Sequence, residues 1–495
     1  MAEPADEERQ DFVKEITKMS VDFDRWYTDV VRKAEMADWS GIRGMMVIRP
    51  YGYAIWETIQ RAFDEMIKSS GHENWAFPLL IPRSLFTKEA DHVEGFAPEV
   101  AWVTRAGSGM AELEEPLVIR PTSETIIGPL VKRYIQSHRD LPLLTNQWCN
   151  VMRWEMRSRL FLRTREFFWQ EGHTFHAGPE EAAREVDLIL EYYRRIAEDW
   201  LAMPVLRGRK SEAEKFAGAE YTLSIEGLMR DGLALQAGTS HNLAQNFSRA
   251  YDVGFTNPSN RRELCHTTSW GISTRLIGGL VMAHGDDSGL IVPPRVAPVQ
   301  VVIVPIGHRD AESRALLETF LRPVLAELSE SGVRHRVDWR DERPGEKFAH
   351  WEVKGVPLRL EVGPRDVAAS QAILVERIGR RKQPVPVAAI GERLRGELEG
   401  FQAELFARAQ RFRDENTFEA RGMADLVDHF RERNGFVWAS WCGAAACEAE
   451  VKERTGATTR GMPLAGSQDA ARELPAECAV CGMPATTPVV FARSY

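Results

Sequence analysis

The run Val151-Met-Arg153-Trp-Glu155-Met-Arg157-Ser-Arg159-Leu-Phe-Leu-Arg163-Thr-Arg165-Glu-Phe167-Phe-Trp169-Gln-Glu171-Gly-His173 decides the architecture. On either side of its arginine-rich turn, Gln147 to Met156 and Glu166 to Phe175 alternate like two antiparallel strands. A period of two puts Arg153 and Glu155 on one face of the first strand. It puts Arg165, Phe167, Trp169, Glu171 and His173 on one face of the second. Cations, an acid and flat rings gathered in this way suit a nucleotide. Guanidinium groups grip phosphate bidentately, a ring stacks on adenine, and a carboxylate holds Mg²⁺ or the amino group of the base. A solvated, charged edge hairpin would use the same residue types.

Outward from the hairpin, Gly52 to Ser69 has helical spacing of Ile55, Ile59, Phe63 and Met66, and Glu180 to Leu201 is a second long amphipathic helix. Glu220 to Glu226 and Gly232 to Ala237 read as further strands, so an antiparallel sheet flanked by helices is expected. Gly271-Ile-Ser-Thr-Arg275 places a fixed cation at the start of an apolar, glycine-containing helix, where terminal phosphates are favoured. Gly41-Ile-Arg-Gly-Met-Met-Val-Ile-Arg-Pro50 reads as a strand ending at proline and entering a helix, a surface suited to dimer formation.

With 495 residues, the chain is long enough for about three domains. The proline-rich stretch from Ile291 to Pro298 ends the first unit, 1–292, an α+β domain. Val299 to Ile306 then starts alternating strands and helices, with a helix from Ala311 to Ser331, giving an α/β unit over 293–400. The remainder, 401–495, is expected to form a small α/β unit; from Val387 to Arg433 the chain is mostly helical and charged, and a cysteine-containing tail follows. The longest apolar runs are far too short for a membrane span, and Met1 to Glu8 lacks the basic and apolar features of a secretory signal, so a cytoplasmic protein is expected. At a formal charge of −9, any nucleic acid would be held by local basic surfaces rather than a global field. No Gly-Lys dipeptide exists to build a P-loop.

Taken together, the proline-bearing segment near 41–82, the Arg-x-Glu hairpin over 147–175 and the Gly-to-Arg helix over 271–285 resemble the three signature motifs of class II aminoacyl-tRNA synthetases. Leu117-Val-Ile-Arg-Pro-Thr122-Ser-Glu124-Thr, Trp169-Gln-Glu171-Gly-His173 and Leu235-Gln236-Ala-Gly238-Thr239-Ser-His241 look like the substrate segments of the prolyl-tRNA synthetases. The resemblance implies activation of proline with ATP and Mg²⁺, followed by transfer of the prolyl group to the 3′ end of proline tRNA. On this reading ATP is held by Arg153, Glu155, Arg165, Phe167, Gln236, Thr239 and Arg275. Proline is held by Thr122, Glu124, Arg153, Trp169, Glu171, His173, Gly238 and His241. Arg153 and Arg275 are the catalytic pair, stabilising charge by position. A secondary ammonium has two hydrogens to donate, which Thr122 and Glu124 can accept beside aromatic and small walls. Thr122 or Glu124 would equally cap a helix starting near Ser123, and His173 would equally be a satisfied core residue.

Over 293–400 the chain resembles an anticodon-binding domain. Lys347 to Asp366 offers Glu352, Arg359 and Arg365 at strand spacing as readers of exposed bases, though a face of ion pairs would look alike. Cys442 and Cys447, then Cys478 and Cys481, have the paired spacing of a closed four-thiolate Zn²⁺ site with a structural role. Cys149 and Cys265 read as small buried hydrophobes. Phe-Ala-Arg-Ser-Tyr495 resembles the tail of archaeal- and eukaryotic-like proline enzymes, whose terminal tyrosine reaches toward the active site. About a hundred residues separate the second and third motifs, too few for the editing insertion of bacterial-type relatives. Threonine, glycine, serine and histidine enzymes share the three motifs and stand as alternatives, as does a non-catalytic RNA-binding protein of the same fold.

Overall fold

A computed structural model describes residues 16–92, 99–308 and 310–495, so the reading of Met1 to Glu8 falls outside the described residues. Pro50 opens helix α1 (Pro50–Ser69), its ring supplying the φ that a first helical residue needs, and Ile55, Ile59, Phe63 and Ile67 bury one face. The central hairpin consists of β1 (Leu143–Met152) and β2 (Glu166–His176), paired antiparallel from Leu143 opposite Phe175 to Met152 opposite Glu166. Helix α2 (Pro179–Arg195) follows and ends in a single π-turn, Ile196–Trp200, inside the span expected to be helical. Strands β3 (Val205–Arg209), β4 (Tyr221–Leu228), β5 (Ala234–Ala244) and β6 (His266–Ser273) complete the antiparallel sheet, and β6 leads into helix α3 (Arg275–His284).

Helices α1 and α2 cover one face of this sheet, where Phe63 stacks on Tyr193 and meets Trp270 edge-on. Close packing sets two glycines. A Cβ on Gly172 would come within 2.1 Å of the Trp270 ring, and one on Gly278 within 2.5 Å of Leu162. The opposite face of the sheet carries the polar residues described below.

A second sheet takes the order His335–Val337, Val301–Pro305, Leu358–Val362, Gln371–Glu376, Lys382–Pro386, with parallel pairs first and antiparallel pairs after. Val301–Pro305 and Leu358–Val362, neighbours within it, are wholly buried, the first through its unbroken apolar sequence and the second with Arg359 and Glu361 paired to each other. Helix α4 (Ile390–Glu415) then runs straight through residue 400. The boundary expected there therefore lies inside one continuous helix, whose buried Leu394, Leu398, Phe401 and Leu405 keep a single stripe across it.

The last unit holds β7 (Phe436–Trp441), helix α5 (Ala445–Thr455), β8 (Thr458–Pro463) and β9 (Thr487–Ala492). Its sheet is not separate. Met462 and Pro463 of β8 pair with Arg209 and Gly208 of β3, so an 11-stranded sheet runs from the C-terminal unit through the first one. Backbones approach so closely here that a Cβ on Gly208 would sit 2.9 Å from the Gly461 Cα. Beside this seam Glu226 is fully buried between Lys210, 2.6 Å away, and Arg460, which reaches both carboxylate oxygens at 3.0 Å. No helix among the described residues is long and apolar enough to cross a membrane.

Candidate active site

The polar face of β2, β4, β5 and β6 opens into a cavity of about 550 Å³. As their period requires, Phe167, Trp169, Glu171 and His173 all line it from β2. Arg153 and Glu155 also line it, but from beyond the end of β1 at Met152 rather than from within a strand. Arg165 belongs elsewhere. The strand begins one residue later, and the Arg165 guanidinium lies 4.0 Å over the Trp154 ring while its Nε donates to the Glu155 carbonyl. Its amide donates to Gly44, so this arginine braces the segment before α1 and does not line the cavity.

At one end of the cavity the Thr122 hydroxyl donates to Glu124 Oε2 at 2.5 Å, and no ion pair to Glu124 forms among the described residues. Helix Glu124–Val131 does start at Ser123, yet Thr122 and Ser123 turn their hydroxyls to carboxylates instead of capping it. Glu171 holds this loop. It accepts the Ser123 hydroxyl, the Ser123 amide at 3.2 Å, Gln147 Nε2 at 2.5 Å and His173 Nε2 at 3.1 Å. Burial alone would raise the Glu171 carboxyl, but these donors and the nearby Arg120 hold it below the ordinary range. Burial would likewise lower His173, and the carboxylates of Glu171 and Glu124 outweigh it and raise the imidazole. His241, by contrast, is taken down to about 3 by burial, bonds Thr222 at 2.9 Å and packs 4.7 Å from the Phe216 ring. It is a neutral wall. Gly238 contributes backbone, since a Cβ there would strike Ile272 and Tyr193 on the helical side.

Arg153 spans the middle. Its Nε donates to the Pro121 carbonyl at 3.1 Å, and the guanidinium lies 5.3 Å from the Trp169 ring and 5.7 Å from that of Phe167. Gln236 and Thr239 line the wall from β5. At the other end Arg275, first residue of α3, donates from Nε to Leu162. Burial, with Arg153 and Arg163 close by, brings its pKa down to about 10. Glu155 lies 3.5 Å from Arg163. Three guanidinium groups so placed, with one carboxylate among them, make an anion-binding end suited to a polyphosphate. Sequence reasoning did not find Arg163, Lys215 or Phe216. They line the cavity from turns, where neither helix nor strand period marks which side chains face inward.

Cys149 stands on β1 and is no simple buried hydrophobe. Trp169 Nε1 donates to its sulfur at 3.2 Å, and Glu171 lies 3.5 Å away. Cys265 is buried in an apolar cluster, as expected.

In the second unit Glu352 sits on the helix Pro344–Val353, not on a strand, with Arg380 at 2.6 Å. Arg359 is on Leu358–Val362, 2.8 Å from Glu361 and 4.2 Å over Phe348. Glu352 and Arg359 share one shallow hollow, and Arg365, on the short helix Pro364–Ala368, is outside it. The tail brings Cys442, Cys447, Cys478 and Cys481 together, their sulfurs all within 4.8 Å. Tetrahedral zinc with Zn–S near 2.3 Å would space sulfurs by about 3.8 Å. The Cys442 sulfur lies 3.6 Å from Cys447 and 3.8 Å from Cys481, so the set fits. Burial would raise the Cys478 thiol, but backbone amides of Cys481, Val480 and Cys442 bring it to about 7, toward the thiolate a metal needs. Tyr495 packs its ring 5.2 Å from the Arg159 guanidinium and bonds Asp231 through its hydroxyl.

Family models match three stretches: the tRNA synthetase class II core domain (G, H, P, S and T) over residues 105–284, an anticodon binding domain over 300–397, and the C-terminal domain of prolyl-tRNA synthetase over 423–495. The proline--tRNA ligase of Symbiobacterium thermophilum is 49% identical over 99% of this chain and 100% of its own length. Proline--tRNA ligase 2 of Bacillus cereus is 48% identical over 98% of this chain and 99% of its own. Two crystal structures of prolyl-tRNA synthetase from Cryptosporidium parvum superpose with a TM-score of 0.91. One, complexed with halofuginone and AMPPNP, is 41% identical and covers 97% of this chain and 99% of that one. The other, complexed with L-proline and AMP, is 40% identical and covers 97% and 96%.

Proposed function

This chain belongs to the prolyl-tRNA synthetases, class II enzymes that join proline to its tRNA at the expense of ATP, and we propose that the cavity's two ends divide that work. Thr122 and Glu124 take the two hydrogens of the proline ammonium, while Glu171 and His173 hold those acceptors in place and Trp169 walls the ring. Arg153, between the ends, contacts both the proline carboxylate and the α-phosphate. Arg275 takes the γ-phosphate, Phe167 lies against adenine, and Gln236 and Thr239 contact the nucleotide. The carboxylate attacks the α-phosphorus, pyrophosphate leaves, and a ribose hydroxyl at the tRNA 3′ end then displaces AMP. No side chain forms a covalent bond, so catalysis rests on position and charge. Glu155 would hold Mg²⁺, which neutralises phosphate charge when bound.

The same reading assigns a structural Zn²⁺ to Cys442, Cys447, Cys478 and Cys481, anticodon contacts to Glu352 and Arg359, and a homodimer to the surface around exposed Ile42, Val47 and Tyr53. It divides the chain near residue 292 and within α4, and it places the enzyme in the cytoplasm. The observation that carries the substrate assignment is the Thr122–Glu124 pair facing Arg153 across one cavity. Pyrophosphate exchange measured with each of the twenty amino acids tests it. Proline should lead by far, and Glu124→Gln should weaken proline binding with little change in the KM for ATP. Exchange driven best by another amino acid would overturn the assignment.

A further inference from the structure

Between β3 and β4 the chain passes through Ser211 to Gly218, and Glu214, Lys215, Phe216 and Ala217 of this segment form one wall of the cavity. The wall is held at both ends. At the far end the Phe216 amide donates to the Thr222 hydroxyl at 3.0 Å, and the same oxygen bonds His241 at the amino-acid end. At the near end the Lys215 amide bonds the Ser211 carbonyl at 2.9 Å, and the Glu214 amide donates to Ser211 Oγ at 3.3 Å.

Ser211 is fixed in turn from another unit. Its hydroxyl donates to Glu448 Oε1 at 2.7 Å, across 237 residues, and Thr459 Oγ1 donates to the same oxygen at 2.5 Å. Ser211 is 2% exposed, Glu448 6% and Thr459 1%. Among the described residues no ion pair reaches this carboxylate. Burying a carboxylate against two hydroxyl donors costs free energy that an apolar contact between the units would not, so simple domain packing does not account for it. What two directed hydrogen bonds add is a fixed position for Ser211, and with it the turn that shapes the wall.

We propose that Glu448, on helix α5 of the C-terminal unit, is a positioning residue for amino-acid binding: through Ser211 it sets the Glu214–Ala217 wall and the seat of Phe216 on His241. The proposal rests on the placement of proline given above. It makes the C-terminal unit part of the amino-acid pocket without touching substrate.

The test compares Glu448→Ala, Glu448→Gln and Ser211→Ala with the wild type in proline-dependent pyrophosphate exchange and in equilibrium dialysis of proline. Glu448→Ala removes the acceptor of the Ser211 and Thr459 hydroxyls, and Ser211→Ala removes the oxygen that bonds Glu448, Thr459 and the Glu214 amide; each should raise the proline KM and Kd about tenfold, with the ATP KM and kcat within about twofold. The amide oxygen of glutamine still accepts both hydroxyls, so Glu448→Gln should stay near wild type. Combining Ser211→Ala with Glu448→Ala should give less than the product of the two single effects, because the Ser211–Glu448 bond is common to both. Should Glu448→Ala fail to fold, Ser211→Ala decides. Unchanged proline binding in a folded variant overturns this proposal alone, and so does a parallel loss in proline KM, ATP KM and kcat, which a structural role would give. A wild type without proline-dependent exchange overturns the placement of proline as well.

Discussion

Arg153→Ala should nearly abolish adenylate formation while leaving the fold in place. Among the described residues one of the five N–H donors of this guanidinium is used, by Pro121, and the rest of the group lines the cavity between its two ends. Burial lowers the Arg153 pKa, and Glu124, Glu171 and Glu155 work against that. The group therefore sits charged in a poorly solvated place, where a bidentate bond to an anion is strong. Two charge-assisted hydrogen bonds at about 1.5–3 kcal/mol each amount to about 3–6 kcal/mol in the transition state, or roughly 10²–10⁴ in kcat/KM. Arg153→Lys keeps a point charge and loses the fork, so it should fall between wild type and alanine. Stability should change little, because removing Arg153 also removes a repulsion that Arg275 feels. The assay is proline-dependent pyrophosphate exchange, with circular dichroism and thermal melting on the same preparations. A folded Arg153→Ala enzyme within tenfold of wild type would refute the role given to this residue.

Removing metal with a chelator, or replacing Cys481 with serine, should release about one Zn²⁺ per chain and lower the melting temperature; metal analysis finding none in the wild type would rule the zinc out. His284, buried against the Leu201 carbonyl, is brought down to about 4. The unfolded chain binds its proton at about 6.5, so stability falls as pH drops from about 6.5 to about 4, by up to roughly 1.4 kcal/mol per pH unit. His284→Gln should flatten that acid limb, and an unchanged limb in urea titrations would contradict the burial argument. Alanyl-tRNA should survive incubation with the pure enzyme, since binding alone separates proline from alanine poorly and no second pocket for hydrolysis is assigned; enzyme-dependent loss of the alanyl group would be the contrary result.

The cavity face of β2 was legible because alternation is a local property: Phe167, Trp169, Glu171 and His173 point the same way wherever the strand goes. Arg165 broke the pattern because the strand starts one residue after it, and Arg153 and Glu155 reached the cavity from outside the strand that was read for them. Glu352 was misplaced because Lys347–Glu352 mixes apolar and charged residues in a run too short to separate helix from strand. The cysteine cluster could be read from spacing alone, whereas the joining of β8 to β3 could not. Gly208 and Gly461 are the trace of that contact, yet a glycine in a strand does not say which backbone approaches it.

That junction bears on how the protein is made. Ser211 and Thr459 are 248 residues apart, and at about 5–20 residues per second a ribosome needs roughly 12–50 s to travel from one to the other. For that interval β3 has β4 on one side and nothing on the other, an open edge with free amides and carbonyls next to an apolar core. Arg207 and Arg209, exposed on this short strand, are charges of the kind that discourage pairing with a stranger. A nascent chain stalled before Pro463, or a gene cut after the second unit, leaves that edge open for good, and self-association rather than loss of catalysis is its first expected failure.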